Sequence, residues 1–431
     1  MRRQVAAGAA LGAALAVVAV AAASGSSGTG AVGGGRATAG ASAIPAATIT
    51  VVAADYGSGT SAMPGKRWWD RVVKDFNKKY PQITVKVDVV NWNDVDNKIT
   101  SEVQANNPPD LAQASADWTG LQSIVYPAAE VLSQATRTNV VKSFYDQGKI
   151  GATVYGIPWI ASSRALVYNK SLFSKAGISR PPKTWNEYKA DAQKLKSAGV
   201  PTPACIPLGN EEAQAETLIW ELGNGGGYVN SKDNWALNSP QDVATFKFIN
   251  SLVKADLTNP NPATTNRTAD CWAGFEGGKV GMTNSQPAEL PGLKKSGVKY
   301  SFAPVPGRRG LAKTTLGVND WIWAFKTKSD HRQQDAAFLN FVLSDKWQED
   351  FFNQYKLLPI TRGASKQVAK ANPSLKPFLD SLPTDTFYPV NKKAWAQVNA
   401  KIKQIIGTAV SDNPKSVLDQ LQKNATTAGG R

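Results

Sequence analysis

From Ile49 onward the apolar positions switch between two periods. "ATITVVAA" (47–54) is a compact apolar run of strand length. "WWDRVVKDFNKKY" (68–80) then puts Trp68, Trp69, Val72, Val73 and Phe76 on one face of a helix. In "PQITVKVDVV" (81–90), Ile83, Val85, Val87 and Val89 alternate with polar residues, as in a half-buried strand. A helix through "VDNKITSEVQA" leads to Pro108-Pro109, and "DLAQAS" (110–115) follows as a short buried strand. Strand and helix in repeated succession predict an open α/β sheet with helices on both faces. Ligands of such sheets sit beyond the carboxyl ends of the strands.

The second half keeps the mixed order. Thr184-x-x-Glu187 is a capping box opening a helix over 183–200, which Gly199 and Pro201 end. Further helices are expected around 212–222, 241–255, 332–353 and 394–410. Breaks rich in proline and glycine are expected near 287–292 and 304–310, and no internal repeat period is evident.

Composition adds compartment. The chain opens MRRQ and continues through nineteen uncharged residues, Val5 to Ala23, ending Ala21-Ala22-Ala23 before Ser24. That is the layout of a secretory signal over 1–23 with an A-x-A cleavage site; a retained membrane anchor is the alternative, since nineteen residues can just span a bilayer. Residues 24–47 are Gly, Ala, Ser and Thr with almost no large side chains, a flexible tether. About 380 residues remain, enough for two domains with separate cores. Cys205 and Cys271 are the only cysteines. In an exported chain they make either a disulfide, stabilising by about 4 kcal/mol on the chain-entropy model, or two buried thiols. The formal charge of +16 falls to +14 without Arg2 and Arg3 (47 basic against 33 acidic). The lysines are dispersed, so a solvated basic surface beside an anionic wall is expected rather than a nucleic-acid site.

Catalytic signatures are missing. There is no G-x-S-x-G, H-E-x-x-H, Walker loop or Cys/His metal spacing, and His331 is the only histidine. No cofactor or metal is expected. "GNGGGY" (223–228) follows a helix rather than a strand, which suits a helix end and not a phosphate cradle. Asp55, Asp117, Glu211 and Asp320 stay open as partners in a carboxylate pair for glycoside hydrolysis. What stands out is thirteen tryptophans. Trp68, Trp69, Trp220 and Trp347 fall inside predicted helices as core, and Trp185 packs at a helix cap. Trp92, Trp118, Trp159, Trp235, Trp272 and Trp321 sit at element ends beside polar groups, and Trp395 opens a late helix. An indole face beside Asp or Asn suits a sugar, whose C–H face stacks while its hydroxyls donate to the oxygens.

The segment "YGIPW" (155–159) with "ALVYNKSLFSKAGI" (165–178) and "PPKTWNEY" closely resembles the first interdomain crossing of extracellular solute-binding proteins of carbohydrate ABC transporters, the maltose-binding-protein-like family. "FNKKYPQITVKV", "FEGGKVGMTNSQP", "APVPG", "LGVNDWIWAF" and "YKLLPITR" follow in the family's order and spacing. The resemblance implies a two-lobed periplasmic-binding-protein-like fold of type II, with a hinge of three crossings near 160–167, 302–308 and 355–362. Lobe one would be 48–163 plus 308–357, and lobe two 166–305 plus 362–431.

It also implies a function. A monomer would close its lobes on a di- or oligosaccharide and deliver it to a membrane permease, making and breaking no bond. Ligand contacts are expected from Asp55 and Tyr56, Asp117 and Trp118, Trp159, Asn210 and Glu211, Asn284 and Ser285, Asp320 and Trp321, and Trp395. Relatives in single-membrane bacteria usually carry a lipidated cysteine after the signal; here none precedes Cys205, so an envelope-associated or released protein is expected. The alternatives are a secreted carbohydrate-active enzyme, a wall-associated structural protein, and a binder of another small solute such as a phosphorylated polyol. For a phosphate, Arg164 is the only cation that can be placed at the cleft.

Overall fold

Strand pairing divides the chain into two sheets. The computed structural model describes residues 44–56, 64–92, 94–114 and 120–429. Residues 1–23, most of the expected tether, and Asp117 and Trp118 lie outside the described residues. In chain order the strands are β1 (Ala47–Asp55), β2 (Ile83–Asn91), β3 (Leu111–Ala114), β4 (Lys149–Ile150), β5 (Thr153–Val154), β6 (Ile157–Ser162), β7 (Ala165–Asn169), β8 (Thr202–Cys205), β9 (Val280–Ser285), β10 (Tyr300–Ala303), β11 (Val318–Ala324) and β12 (Leu358–Pro359). The first sheet runs β12-β6-β11-β3-β1-β2 and the second β10-β7-β9-β8; β4 and β5 form a separate hairpin.

The first sheet begins parallel. β1 pairs with β2 from Ala47 opposite Ile83 to Asp55 opposite Asn91, and with β3 at Val51 and Val52. The helix Pro64–Lys79 makes the parallel crossover and buries Trp68, Trp69, Val72 and Phe76 as its spacing predicts. β2 is an edge, so Ile83, Val85 and Val89 are buried while Thr84, Lys86 and Asp88 face water. β11 then enters antiparallel between β3 and β6. All six residues of β6 are buried, because both its faces are covered. Trp68, Trp69, Trp159, Trp347 and Phe351 interlock there, with Trp69 stacked on Trp159 at 5.6 Å and 16°.

The chain moves between sheets with little slack. β6 ends the first-sheet segment at Ser162, and β7 opens the second at Ala165. It returns between Ala303 of β10 and Val318 of β11. The second sheet has its own core, where Trp185, Tyr188, Trp220 and Phe246 pack with the helices Trp185–Ser197, Ala213–Leu222, Pro240–Lys254 and Trp395–Ile405. The capping box at Thr184 and Glu187 is formed in both directions. Cys205 and Cys271 are joined by a disulfide, tying β8 to the π-helix Arg267–Trp272.

Three expectations change. The helix expected over 332–353 is two, Arg332–Val342 and Asp345–Tyr355, because Ser344 takes an extended conformation (ψ 152°) as the second helix's N-cap residue. The break expected at 287–292 is a 3-10 turn, Pro287–Glu289, continued by a helix, Leu290–Ser296. Pro291 sits in the first turn of that helix, where its missing N–H costs nothing. A final helix, Pro414–Gly429, had no counterpart in the periodicity reading. "GNGGGY" is a helix end: Gly225 and Gly227 take positive φ, and a Cβ on Gly226 would fall 1.8 Å from Asp242 Oδ1. Among the described residues no helix is long and apolar enough to cross a membrane.

Candidate functional site

The parallel register of β1 and β2 ends both strands at one level, so Asp55 and Tyr56 emerge beside Asn91 and Trp92. Across the sheet, β11 sets Val318 opposite Ser162 and Asp320 opposite Ile160. These residues line a cavity of about 560 Å³ whose other wall comes from the second sheet's side. That wall holds Glu212 and Gln214 at the start of the helix Ala213–Leu222, Gln286 and Ala288 just after β9, and Tyr388. Arg164, at the passage from β6 to β7, touches both halves of the lining. The size and the mixture of rings and converging polar groups are those of a small-molecule site.

Electrostatics follow from burial. Tyr56 donates its hydroxyl to Asp320 Oδ2 at 2.9 Å. Burial pushes the Asp320 carboxyl up to about 7 although that hydrogen bond favours the ionised form. The Tyr56 hydroxyl is raised well above its ordinary range, first by burial and then by Asp320. Its ring lies 5.2 Å from Trp92 at 31° and meets Phe351 edge-on. Opposite, Arg164 is 3% exposed and donates to Gln286 Oε1 at 2.5 Å. Glu212 sits between two arginines, 3.5 Å from Arg164 Nη2 and 3.4 Å from Arg267 Nε. Arg267 also binds Glu289 at 2.6 Å and the Asn284 carbonyl at 3.1 Å. Behind it the Glu216 carboxylate accepts from Trp220 at 2.7 Å and from Asn284 at 2.8 Å, and burial raises it to about 7. Tyr388 is held from behind by Trp395, stacked at 5.2 Å and 22°. Tyr388 also lines a second, larger cavity of about 1100 Å³ with Phe387, Asn391, Asp233 and Lys149.

The expected contact residues divide. Asp55, Tyr56 and Asp320 lie in the cavity lining. Trp159 does not: it is fully buried in the first sheet's aromatic cluster. Trp321 points away from the lining and covers Gly156, where a Cβ would come within 2.7 Å of its ring. Asn210 and Glu211 are exposed, and Glu211 accepts from the Thr268 backbone N–H at 2.9 Å, one residue short of the lining Glu212. Asn284 and Ser285 are buried behind the lining, the latter donating to Glu289 at 2.9 Å, while Gln286 reaches the cavity. Trp395 supports Tyr388 instead of lining the cavity. Trp92 had been marked by its polar neighbours; Glu212, Gln214, Gln286 and Tyr388 carried no sequence signal of their own, because only the meeting of the two sheets brings them together.

Comparison with known proteins fits this geometry. The profile of the bacterial extracellular solute-binding proteins matches residues 60–349. A binding protein of Brucella abortus is 28% identical over 357 residues, covering 81% of this chain and 85% of its own. The sn-glycerol-3-phosphate-binding periplasmic protein of Brucella melitensis is 25% identical over 352 residues, covering 74% and 80%. The crystal structure of the cyclic α-maltosyl-1,6-maltose binding protein from Arthrobacter globiformis superposes with a TM-score of 0.77 at 19% identity, covering 89% of this chain and 99% of that one. With its two-lobed α/β architecture and a polar cavity where its two sheets meet, this chain belongs to the bacterial extracellular solute-binding proteins, the capture components of ABC importers.

Proposed function

We propose that the protein captures a neutral di- or oligosaccharide outside the cytoplasm and hands it to a membrane permease without altering it. The observation that carries this reading is the charge of the lining. It contains three carboxyl groups, Asp55, Glu212 and Asp320, against one cation, Arg164. Arg164 is already engaged by Gln286 and Glu212. Such a wall offers an anion no unengaged cation but accepts hydroxyl hydrogen bonds, and Asn91, Asn319, Gln214 and Gln286 add amide donors and acceptors. Trp92, Tyr56 and Tyr388 supply ring faces for sugar C–H surfaces. The second cavity sharing Tyr388 gives room for further sugar units.

Closure follows from the division of the lining between two sheets. A ligand that touches both halves only when they approach shifts the population toward the closed form. We take the lobes as 48–163 plus 308–357 and 166–305 plus 362–431. The changes of sheet between β6 and β7 and between β10 and β11 support two of the hinge crossings. Export through the N-terminal apolar segment, by cleavage or as an anchor, and action as a monomer complete the reading.

A phosphorylated polyol is the second reading, favoured by the 25% identical sn-glycerol-3-phosphate-binding relative. Thermal-shift and calorimetric titration with maltose, maltotriose, maltotetraose and other neutral oligosaccharides, beside sn-glycerol-3-phosphate, separates the two. Saturable binding of a neutral sugar that is recovered intact supports the proposal. Binding of sn-glycerol-3-phosphate alone, or cleavage of the sugar, refutes it.

A further inference from the structure

Arg164 lines a second cavity as well. On the passage between the two sheets lies a pocket of about 310 Å³, walled by Arg164, by Pro304, Val305 and residues 311–315 of the return connection, and by residues of the segment 376–384. We propose that this hinge-side pocket binds a tetrahedral oxyanion, with inorganic phosphate as the simplest occupant. The lining itself favours one: it carries Arg164, Lys313 and Lys376 with one carboxylate, Asp380, which Lys376 contacts at 3.2 Å, while Glu212 and Asp385 act on Arg164 from outside it. Arg164 shares its charge with Glu212 at 3.5 Å, which leaves Lys313 as the cation of the lining with no carboxylate of its own there.

Two buried polar groups in the wall lack partners. Arg164 Nε and Thr315 Oγ1 make no hydrogen bond, and the residues are 3% and 4% exposed. Buried donors left unpaired are rare in folded proteins, and an occupant with several acceptor oxygens would satisfy both. Arg164, Lys313 with Thr315, and Lys376 come from three separate stretches of chain, so donors reach the pocket from several directions. That suits a tetrahedral anion better than a planar carboxylate. The volume leaves room for the anion and several waters, at roughly 30 Å³ each.

The placement gives the site a consequence. The Arg164 guanidinium meets Gln286 and Glu212 in the ligand cavity lining. An anion held on the hinge side therefore fixes a side chain of the cleft, and occupancy of the two sites is coupled, each altering affinity for the other by the same factor.

The test is thermal unfolding of the whole protein in increasing phosphate, against chloride at matched ionic strength. Phosphate raises Tm saturably, by about 2 °C at ten times the half-saturating concentration, and chloride does not. In Lys313→Ala/Thr315→Val the phosphate response disappears. Lys313→Ala alone, a change at an exposed position, raises the half-saturating concentration at least fivefold should the double variant fold poorly. No saturable rise, an equal rise in chloride, or an undiminished response in Lys313→Ala overturns the proposal.

Discussion

Replacing Asp320 by Asn tests the electrostatics of the cavity at one atom. The carboxyl is 8% exposed and raised from 3.8 to about 7, chiefly by burial. A folded-state pKa above the unfolded one means that the native protein holds the proton more tightly. The resulting stability is complete below the unfolded pKa and is lost as pH rises through about 7. Between pH 5 and pH 8 this one group costs the wild type about 2.5 kcal/mol. Asn keeps the shape and an oxygen that accepts the Tyr56 hydroxyl, but does not titrate. Asp242, Asp385 and Glu216 are raised to about 7 as well, so the wild-type curve alone cannot isolate Asp320. The difference between the two proteins can. Denaturant unfolding followed by tryptophan fluorescence at pH 5 and pH 8 should show the variant losing about 2.5 kcal/mol less than the wild type. Equal losses, within about 0.5 kcal/mol, would refute the burial argument.

Other outcomes follow from the same geometry. Trp92→Ala and Tyr388→Ala should each weaken sugar binding at least tenfold in calorimetry, while Trp159→Ala should lower Tm by several degrees, since its ring is packed on Trp69 and Phe351. Replacing both Cys205 and Cys271 by Ala should cost about 4 kcal/mol in denaturant unfolding, from the 66-residue separation they close, and reductant should act on the wild type alike.

Much of the architecture was visible in the periodicity, and much of the site was not. Strands such as β2 and helices such as Pro64–Lys79 announce themselves because one face is wet and the other dry. Strand β6 is buried on both faces, so alternation vanishes, and nothing local told whether Trp159 met solvent or core. Position at a strand end was a fair guide for Asp55 and Tyr56, where parallel neighbours end in register. It failed by a single residue at Glu211 and Ser285, because Glu212 and Gln286 face the cavity instead. Such one-residue errors are built into chain geometry, where successive side chains point in different directions. Trp321 and Trp395 show the same limit for indoles. Each sits beside residues of the lining, yet one fills space above Gly156 and the other props Tyr388. The Arg164–Glu212–Arg267 chain spans about a hundred residues of sequence and became legible only when β7, the helix Ala213–Leu222 and the π-helix Arg267–Trp272 were placed together.

The measurement nearest the centre of the account is small-angle X-ray scattering of the protein alone and with a saturating neutral oligosaccharide chosen from the thermal-shift panel. Closure of the two lobes on the sugar predicts a smaller radius of gyration and a shorter maximum dimension in the complex. Identical scattering with the sugar demonstrably bound would contradict it.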